Sequence, residues 1–272
     1  MENKYSVLMT VYCKDNPDFF RLALESMVNQ TVKPDEIVLV KDGKITQELQ
    51  EVINDVQKVS KNIVELQLEK NVGLGLALNA GIAICKNELI ARMDSDDISL
   101  PQRCEKQLNV FNNNPDIDIV GCPVIEFSGN VVNVVGKRDV PLKNEEIHKY
   151  AKRRDPFNHP TVMYKKSKVQ EVGGYGDYRK NQDTDLWIKM LSNGSKAENI
   201  EEHLLMFRFD ENTYKKRKSW TNTKLLIKIR KNAYKIGFSS LSDFIFVTGL
   251  QIAIFIMPIN LQRFIYRKFL RK

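Results

Sequence analysis

The first hundred residues alternate between short β-rich runs and longer stretches in which apolar residues recur at helical spacing. Such runs, bounded by turn residues, predict strands, and apolar residues three and four apart predict helices. Strands alternating with helices of this length predict parallel βαβ units with right-handed crossovers. The predicted strands are 5–12, 36–40, 63–68 and 88–93, and the predicted helices are 18–30, 46–59 and 75–85.

The second half is less regular and predicts a mixed α/β arrangement. It contains predicted helices at 102–112, near 144–153 and at 183–194, and predicted strands at 117–127, 131–135 and near 161–164. The first two of these strands are expected to pair through a turn at 128–130. After Trp220 the sequence predicts helices and no strands.

Polar or small residues stand at the end of each predicted strand in the first half. They are Thr10-Val11-Tyr12, Asp42-Gly43, Asn71 with Gly73, and Asp94 with Asp96. In open parallel sheets, ligands bind in the crevice at the carboxyl ends of the strands. We therefore expect these residues to meet in one crevice.

Three carboxylates, Asp94, Asp96 and Asp97, lie within four residues at the last of these strand ends. Like charges that close repel, unless a cation lies between them. Mg²⁺ and Mn²⁺ prefer oxygen ligands and commonly bridge carboxylates to substrate phosphates. The alternative is a solvated turn that leads into a helix, with Ser99 before Pro101 as the helix cap.

The cysteines and the N-terminus indicate the compartment. Cys13, Cys85, Cys104 and Cys122 have no C-x-x-C spacing and no nearby histidine, so we expect reduced thiols and neither zinc nor disulfides. The first residues show no basic stretch followed by a long apolar one, as a secretory signal peptide would. These features predict a cytoplasmic protein.

The positive charge is concentrated in the C-terminal tail. Residues 212–272 carry 14 lysines and arginines and one acid, a net charge of +13, whereas the whole chain carries +8. The rest of the chain therefore carries −5. Such asymmetry suggests an anionic partner, either nucleic acid or a membrane surface.

An apolar segment in this tail, residues 244–259, favours the membrane. As a helix up to Met257 it is about 21 Å long, too short for a hydrocarbon core of about 30 Å. Basic residues flank it, and Arg263, Arg267 and Arg271 recur four apart. This pattern predicts a basic amphipathic helix in the interface of an anionic membrane. A buried pair of core helices is the alternative; nucleic acid is not expected, because exposed aromatic residues do not alternate with the charges.

Several ordered motifs resemble family 2 glycosyltransferases of the GT-A fold, especially bacterial enzymes that build capsule and other surface polysaccharides. The similarity runs through residues 6–43, 69-EKNVGLGLALNAG-81 and 92-RMDSDD-97, and more weakly through 158-NHPTVM-163 and 181-NQDTDLW-187. It implies a GT-A catalytic domain at 1–211, with a nucleotide-binding half (1–100) and an acceptor half (101–211). The basic helical tail, 212–272, follows as a membrane-associating region.

The resemblance implies a nucleotide-sugar site with Mn²⁺ or Mg²⁺. Asp42 would accept a hydrogen bond from uracil or its equivalent, and Asp96, with Asp94 beside it, would bind the ion on the diphosphate. The implied nucleotide-sugar residues are Thr10, Val11, Tyr12, Asp42, Asn71, Gly73, Asp94 and Ser95.

An inverting sugar transfer also needs a general base, which removes the proton of the acceptor hydroxyl. The family uses the Asp of a Glu-Asp pair, and Asp183 matches it, although Gln182 stands where Glu is usual. Asp185 is a competing candidate, and Asp183 as a helix cap is the structural alternative. His159 and Arg208 are weaker candidates for contact with the acceptor or the diphosphate.

These features predict an inverting, metal-dependent transferase that moves one sugar from a nucleotide sugar, preferably a UDP-hexose, to a growing surface glycan. We expect the acceptor to be carried on a polyprenyl diphosphate and the enzyme to lie peripherally on the inner face of the plasma membrane. The alternative from another class is a non-catalytic nucleotide-binding module, which the basic tail holds on a membrane or nucleic acid.

Overall fold

The computed structural model describes residues 4–209 and 219–258 of the chain. The first elements are β1 (Tyr5–Val11), α1 (Pro17–Val28), β2 (Glu36–Lys41), α2 (Gln47–Val59), β3 (Ile63–Gln67), α3 (Leu74–Ile84) and β4 (Leu89–Met93). They are followed by β5 (Ile98–Ser99), α4 (Arg103–Asn113), β6 (Ile117–Gly121), β7 (Val124–Phe127), β8 (Val134–Arg138), α5 (Asn144–Ala151), a 3₁₀ turn (His159–Thr161), β9 (Met163–Lys165), α6 (Lys166–Glu171), α7 (Gln182–Ser192), β10 (Lys196–Asn199) and β11 (Leu205–Arg208). The last described helices are α8 (Trp220–Lys235) and α9 (Leu241–Ile256).

A seven-stranded sheet forms the centre, in the order β10-β6-β9-β4-β1-β2-β3. Strands β1 to β4 run parallel to one another, and β6 pairs with β10 in parallel. Only β9 is reversed within this sheet, since it pairs antiparallel with both β4 and β6. The prediction of a mostly parallel sheet is therefore confirmed, as are the four strands and three helices of the first hundred residues.

Both faces of the sheet are covered, which is why its strands are almost continuously apolar. Alternate residues of a strand point to opposite faces. Accordingly, Val7 and Met9 of β1 pack with Leu24 of α1 in one core cluster, whereas Leu8 packs with Leu78 of α3 in the other.

The segment 117–127, predicted as one strand, is two strands in different sheets, β6 and β7. The break falls at Cys122 and Pro123, where the Cys122 amide donates to Thr161 Oγ1 at 3.1 Å instead of to a neighbouring strand. Proline has no N–H to donate to a strand ladder. The prediction of a single strand here is therefore wrong.

The second sheet has four short strands in the order β5-β11-β7-β8. Strand β8 pairs with β7 as predicted, but it begins at Val134 rather than at 131. The turn between β7 and β8 is longer than predicted. A hydrogen bond from the Ser128 amide to the Asn133 carbonyl, at 3.1 Å, closes it. This sheet places β11 beside the segment that follows β4.

Ser99 does not cap a helix. It lies in β5 with 3% of its surface exposed, and α4 begins four residues later, at Arg103 after Gln102. The Ser99 amide donates to Ser26 Oγ at 3.1 Å, so that this segment is attached to α1. The alternative interpretation, a solvated turn that leads into a helix capped by Ser99, is therefore wrong about the capping residue.

The described part of the tail consists of α8 and α9, as the helical prediction required. Ile229 and Ala233 of α8 form a small buried cluster with Ile188 of α7. Ser240 caps α9, since its hydroxyl accepts from the Asp243 amide, and the Asp243 carboxylate pairs with Arg153 at 2.6 Å. Of the described helices, none is long and apolar enough to cross a membrane. The arginines at 263, 267 and 271 lie outside the described residues.

Buried Gln30, which follows α1, ties the segment after the acidic residues to that helix. Its Nε2 donates to Ser26 O at 2.9 Å, to Ser99 Oγ at 3.1 Å and to Leu100 O at 3.0 Å. Its Oε1 accepts from the Cys104 amide at 3.0 Å. One side chain thus satisfies four polar groups in the interior.

We predict that Gln30→Ala lowers the free energy of unfolding by about 2–3 kcal/mol, because it leaves buried polar groups without partners. Urea unfolding followed by circular dichroism measures the change. The control is Gln47→Ala, which removes one hydrogen bond, to Glu51, from an exposed side chain; it should cost less than about 0.5 kcal/mol. Equal losses in both variants would contradict the role given to Gln30.

Candidate active site

The acidic segment after β4 forms a compact group of carboxylates. One oxygen from each of Asp94, Asp96 and Asp97 lies within 4.8 Å of the other two. Burial, and next the charge of Asp94, raise the pKa of Asp96 to about 6, although its side chain opens to the surface. Burial and the charges of Asp94 and Asp96 raise the pKa of Asp97 well above its ordinary value. Such a group favours a cation between its members.

A fourth carboxylate, Asp15, joins this group and was not predicted. Its Oδ2 accepts a hydrogen bond from the Tyr12 amide at 3.1 Å, and its carboxylate interacts with Ser95. Burial raises its pKa to about 6, and Asp96 and Asp94 add to the shift against the hydrogen bonds from Tyr12 and Ser95. The one available signal was its position four residues after the end of β1.

Arg92, the last but one residue of β4, lies beneath these carboxylates with 1% of its surface exposed. Its guanidinium pairs with Asp94, and its carbonyl accepts from Arg103 Nη1 at 3.1 Å. Its Nε and Nη1 are buried and, within the described residues, form no hydrogen bond. The buried guanidinium of Arg92 therefore provides a positive charge at the inner side of the acidic group.

Arg208, at the end of β11, lies against the outer side of the same group. Its amide donates to Asp97 Oδ1 at 2.7 Å, and its Nε donates to the Asp96 carbonyl at 2.8 Å. Its guanidinium stacks over Phe19 and Phe127, at 3.7 and 4.6 Å from the ring centroids. The structure thus brings this predicted residue to the acidic group, while its contact with a diphosphate or acceptor stays a prediction.

Asp42, at the end of β2, holds the loop before α3. Its carboxylate accepts from the Val72 amide at 2.7 Å, from the Gly73 amide at 3.0 Å and from Asn71 Nδ2 at 2.9 Å. Gly73 has a φ of 93°, a conformation that favours glycine. The structure therefore brings together Asp42, Asn71 and Gly73, as expected. The Asp42 carboxylate, which was predicted to bind the base of the nucleotide, accepts hydrogen bonds from this loop in the protein itself.

The three residues at the end of β1 differ in exposure. Val11 is 1% exposed and belongs to the core, so that any contact with a nucleotide has to come from its backbone. Thr10 is partly buried, and Tyr12 is 38% exposed. Burial, and next the charges of nearby acids that include Asp15 and Asp96, raise the pKa of the Tyr12 hydroxyl. The Tyr12 ring therefore lies near the acidic group.

Asp183 lies in the first turn of α7 and is not the helix cap. That position belongs to Asn181, which has a left-handed φ of 56°. Asp183 Oδ1 accepts from the Thr184 amide at 2.9 Å. Burial raises the pKa of Asp183 to about 6, and the next cause is Asp155, which follows α5. The like charge that Gln182 fails to supply thus comes from Asp155, a residue not predicted.

The other two candidates near α7 already have partners in the protein. Asp185 Oδ2 pairs with Lys189 Nζ at 3.1 Å, and its carboxylate is 13% exposed. His159 Nε2 lies 2.9 Å from the Tyr175 hydroxyl, with the Trp187 ring at its side. Burial, and next Arg92, hold the pKa of His159 well below its ordinary value, so that the ring is neutral. A substrate contact of either residue stays a prediction.

Solved structures share this fold at low sequence identity. A mannosyltransferase from Pyrobaculum calidifontis, in complex with GDP-Man and Mn²⁺, has a TM-score of 0.65 and 12% identity, over 92% of this chain and 69% of that one. S. aureus TarS 1–349, in complex with UDP-GlcNAc, has a TM-score of 0.62 and 16% identity, over 92% of this chain and 81% of that one. The fold is therefore that of the GT-A glycosyltransferases.

Curated relatives are similar over nearly the whole chain. The Escherichia coli UDP-Gal:alpha-D-GlcNAc-diphosphoundecaprenol beta-1,3-galactosyltransferase is 39% identical over 99% of this chain and 97% of its own length. The amylovoran biosynthesis glycosyltransferase AmsE of Erwinia amylovora is 34% identical over 97% of this chain and 98% of its own. The family model described as glycosyl transferase family 2 matches residues 6–173, more than half of the chain. The chain belongs to this family and is a glycosyltransferase.

Proposed function

We propose that this enzyme transfers one sugar, with inversion, from a UDP-hexose to a glycan carried on a polyprenyl diphosphate. The observation that carries the proposal is the pair of carboxylate sites joined by Arg92. This buried guanidinium pairs with Asp94 of the acidic group and also acts on the charge of Asp183. A site for a metal-bound leaving group and a site for a base together fit a single displacement.

The acidic group fits a divalent ion. Its donors are all oxygens, which Mg²⁺ and Mn²⁺ prefer. Asp97 Oδ2 is buried and makes no hydrogen bond within the described residues. Burial, and next the charge of Asp94, raise the pKa of Asp96, and a bound cation would lower it. Asp96 would bind the ion, with Asp94 beside it. When bound, the ion neutralises charge that develops on the leaving nucleoside diphosphate.

Asp183 suits the role of general base. A carboxylate with a pKa of about 6 is largely deprotonated at neutral pH, yet it binds a proton more strongly than an ordinary aspartate does. Asp185 is less suited, because Lys189 already pairs with it. We therefore assign removal of the acceptor hydroxyl proton to Asp183.

The donor and the acceptor are proposed from relatedness. The E. coli relative, 39% identical, is named for transfer of galactose from UDP-Gal to GlcNAc-diphosphoundecaprenol. AmsE is named for amylovoran biosynthesis. The E. coli glycosyltransferase WbnJ, 30% identical over 78% of this chain, is named for O-antigen biosynthesis. These names support a UDP-hexose donor and a lipid-linked acceptor here, and they do not support a non-catalytic module.

Helices α8 and α9 support attachment to the cytoplasmic surface of an anionic membrane. One side of α9 is apolar and exposed along its full length, through Leu241, Ile245, Ile252 and Ile256, and Phe246 and Leu250 are exposed on another side. Exposed lysines lie on α8, namely Lys224, Lys228, Lys231 and Lys235. Apolar and basic faces together are typical of helices that lie in a membrane interface. We keep the tail, 212–272, as the proposed membrane-associating region.

We predict that Asp96→Ala abolishes divalent-metal-dependent release of UDP from a UDP-hexose and leaves the melting temperature nearly unchanged, since the side chain is exposed. The assay uses a panel of UDP-hexoses with Mn²⁺ or Mg²⁺, with and without chelator. Asp116→Ala, which removes an exposed carboxylate paired with Lys196, is the control and should keep full activity. Turnover near that of the wild type in Asp96→Ala would refute the metal assignment.

We predict that Asp183→Asn lowers kcat by roughly 10²–10⁴-fold, the usual size of general-base catalysis, and preserves donor binding. Since the base has to be deprotonated, kcat of the wild-type enzyme should fall as the pH falls through about 6, the pKa of Asp183. Turnover assays measure kcat, and calorimetric titration with UDP measures binding of the donor nucleotide separately. An equal loss in Asp185→Asn with none in Asp183→Asn would move the role to Asp185.

We predict that Ile245→Glu combined with Ile256→Glu releases the protein from vesicles that contain anionic lipid, because both side chains lie on the exposed face of α9. Transfer to a lipid-linked acceptor should fall more than hydrolysis of the donor. The control is Val132→Glu, an equal change at an apolar residue 82% exposed before β8. Undiminished vesicle binding of the double variant in a sedimentation assay would exclude α9 as the membrane face.

A further inference from the structure

Helix α8 lies against the start of α7, which carries Asp183. Asn181 Nδ2, from the residue that caps α7, donates to Asn222 Oδ1 of α8 at 2.9 Å. One and a half turns into α7, Ile188 packs against Ile229 of α8. The C-terminal helix is thus in direct contact with the element that orients the proposed base.

Arg230 of α8 extends this contact to the segment after α5. Only 3% of its surface is exposed. Its Nη1 donates to the Ala151 carbonyl at 2.6 Å, and its Nη2 donates to Asp155 Oδ1 at 3.4 Å. A buried guanidinium stays charged and needs a carboxylate or carbonyl partner. Arg230 therefore fixes the position of Asp155 from the side of the tail.

Asp155 and Arg230 exert opposite effects on Asp183. The charge of Asp155 is, after burial, the largest cause that raises the pKa of Asp183. Arg230 interacts with the charges of both Asp155 and Asp183, and burial lowers its own pKa. Other groups that act on Asp183 include Arg92 of β4, Tyr175 before α7, and the backbone amides of Thr184 and of Asp183 itself. The positive charges that act on Asp183 thus come from the sheet, through Arg92, and from α8, through Arg230.

We propose that Arg230 is a positioning residue of the active site, which neutralises Asp155 and holds it beside Asp183. The inference rests on the proposed role of Asp183 as the base. It assigns the tail a second task besides membrane attachment, because a residue of α8 controls how strongly the base holds its proton.

The test compares the ionisation of Asp183 in charge variants. In Arg230→Met, Asp155 is no longer neutralised, so that Asp183 should hold its proton to a pH higher by on the order of one unit. In Asp155→Asn the titration should move to lower pH. Arg230→Lys keeps the charge and should stay near the wild type. The double variant Arg230→Met with Asp155→Asn should lie closer to the wild type than Arg230→Met does.

The ionisation is measured directly, by ¹³C NMR titration of aspartate carboxyl carbons, with the Asp183 signal identified by its loss in Asp183→Asn. The acid limb of the kcat/KM profile with UDP-galactose, Mn²⁺ and a synthetic GlcNAc-diphosphate lipid should move in the same direction. The matched control is Arg153→Met, since Arg153 follows the same helix α5 and pairs with Asp243 of α9. It loosens the same segment and should not move the titration.

Two outcomes separate the inference from the proposed function. Unmoved titrations in both Arg230→Met and Asp155→Asn overturn the positioning role, even where Asp183→Asn is inactive. Full activity of Asp183→Asn overturns the proposed base, whatever the titrations show. Asp155, with its carboxylate 43% exposed, can be changed with little cost to folding, so that Asp155→Asn carries the test if Arg230→Met fails to fold.

Discussion

A buried arginine at the end of a central strand is the constraint on which the rest of the site depends. Only 1% of the surface of Arg92 is exposed, and its removal from water costs several kcal/mol that nearby negative charge has to offset. Asp94 supplies part of this charge directly, and Asp96, Asp97 and Asp183 act on it from further away. One cation thus accounts for why so many acids can lie close together in the folded chain.

The carboxylates still exceed the positive charge available to them. Burial raises the pKa of Asp15 and of Asp96 to about 6, so that the protein alone does not fully stabilise their charged forms. A divalent ion favours the ionised form of each carboxylate that binds it. Arg208 adds a second positive charge that interacts with Asp96 and Asp97, and its guanidinium is placed by two aromatic rings and by hydrogen bonds to the Asp96 and Gly129 carbonyls.

The parallel half of the fold and most of the candidate site could be predicted from the sequence, because buried strands are continuously apolar and their polar ends lie on one edge. The short strands β5, β10 and β11 could not, since pairing with distant strands forms them. Asp15 was missed because it lies beyond the strand end and returns to the site through hydrogen bonds from the Tyr12 amide and from Ser95. Asp155 and Arg230, 75 residues apart, show no local pattern at all.

A change in the C-terminal helices can affect Asp183 only through contacts that are strong enough to transmit it. Arg153 and Asp243 join the segment after α5 to α9, but the arginine side chain is 51% exposed, and exposed ion pairs contribute at most about 1 kcal/mol. Arg230 is buried, and it bonds the Ala151 carbonyl as well as Asp155. A membrane contact made by α9 can alter the site only through a difference in affinity between two arrangements of these helices. The stronger connection between the tail and the segment that carries Asp155 therefore runs through Arg230 of α8.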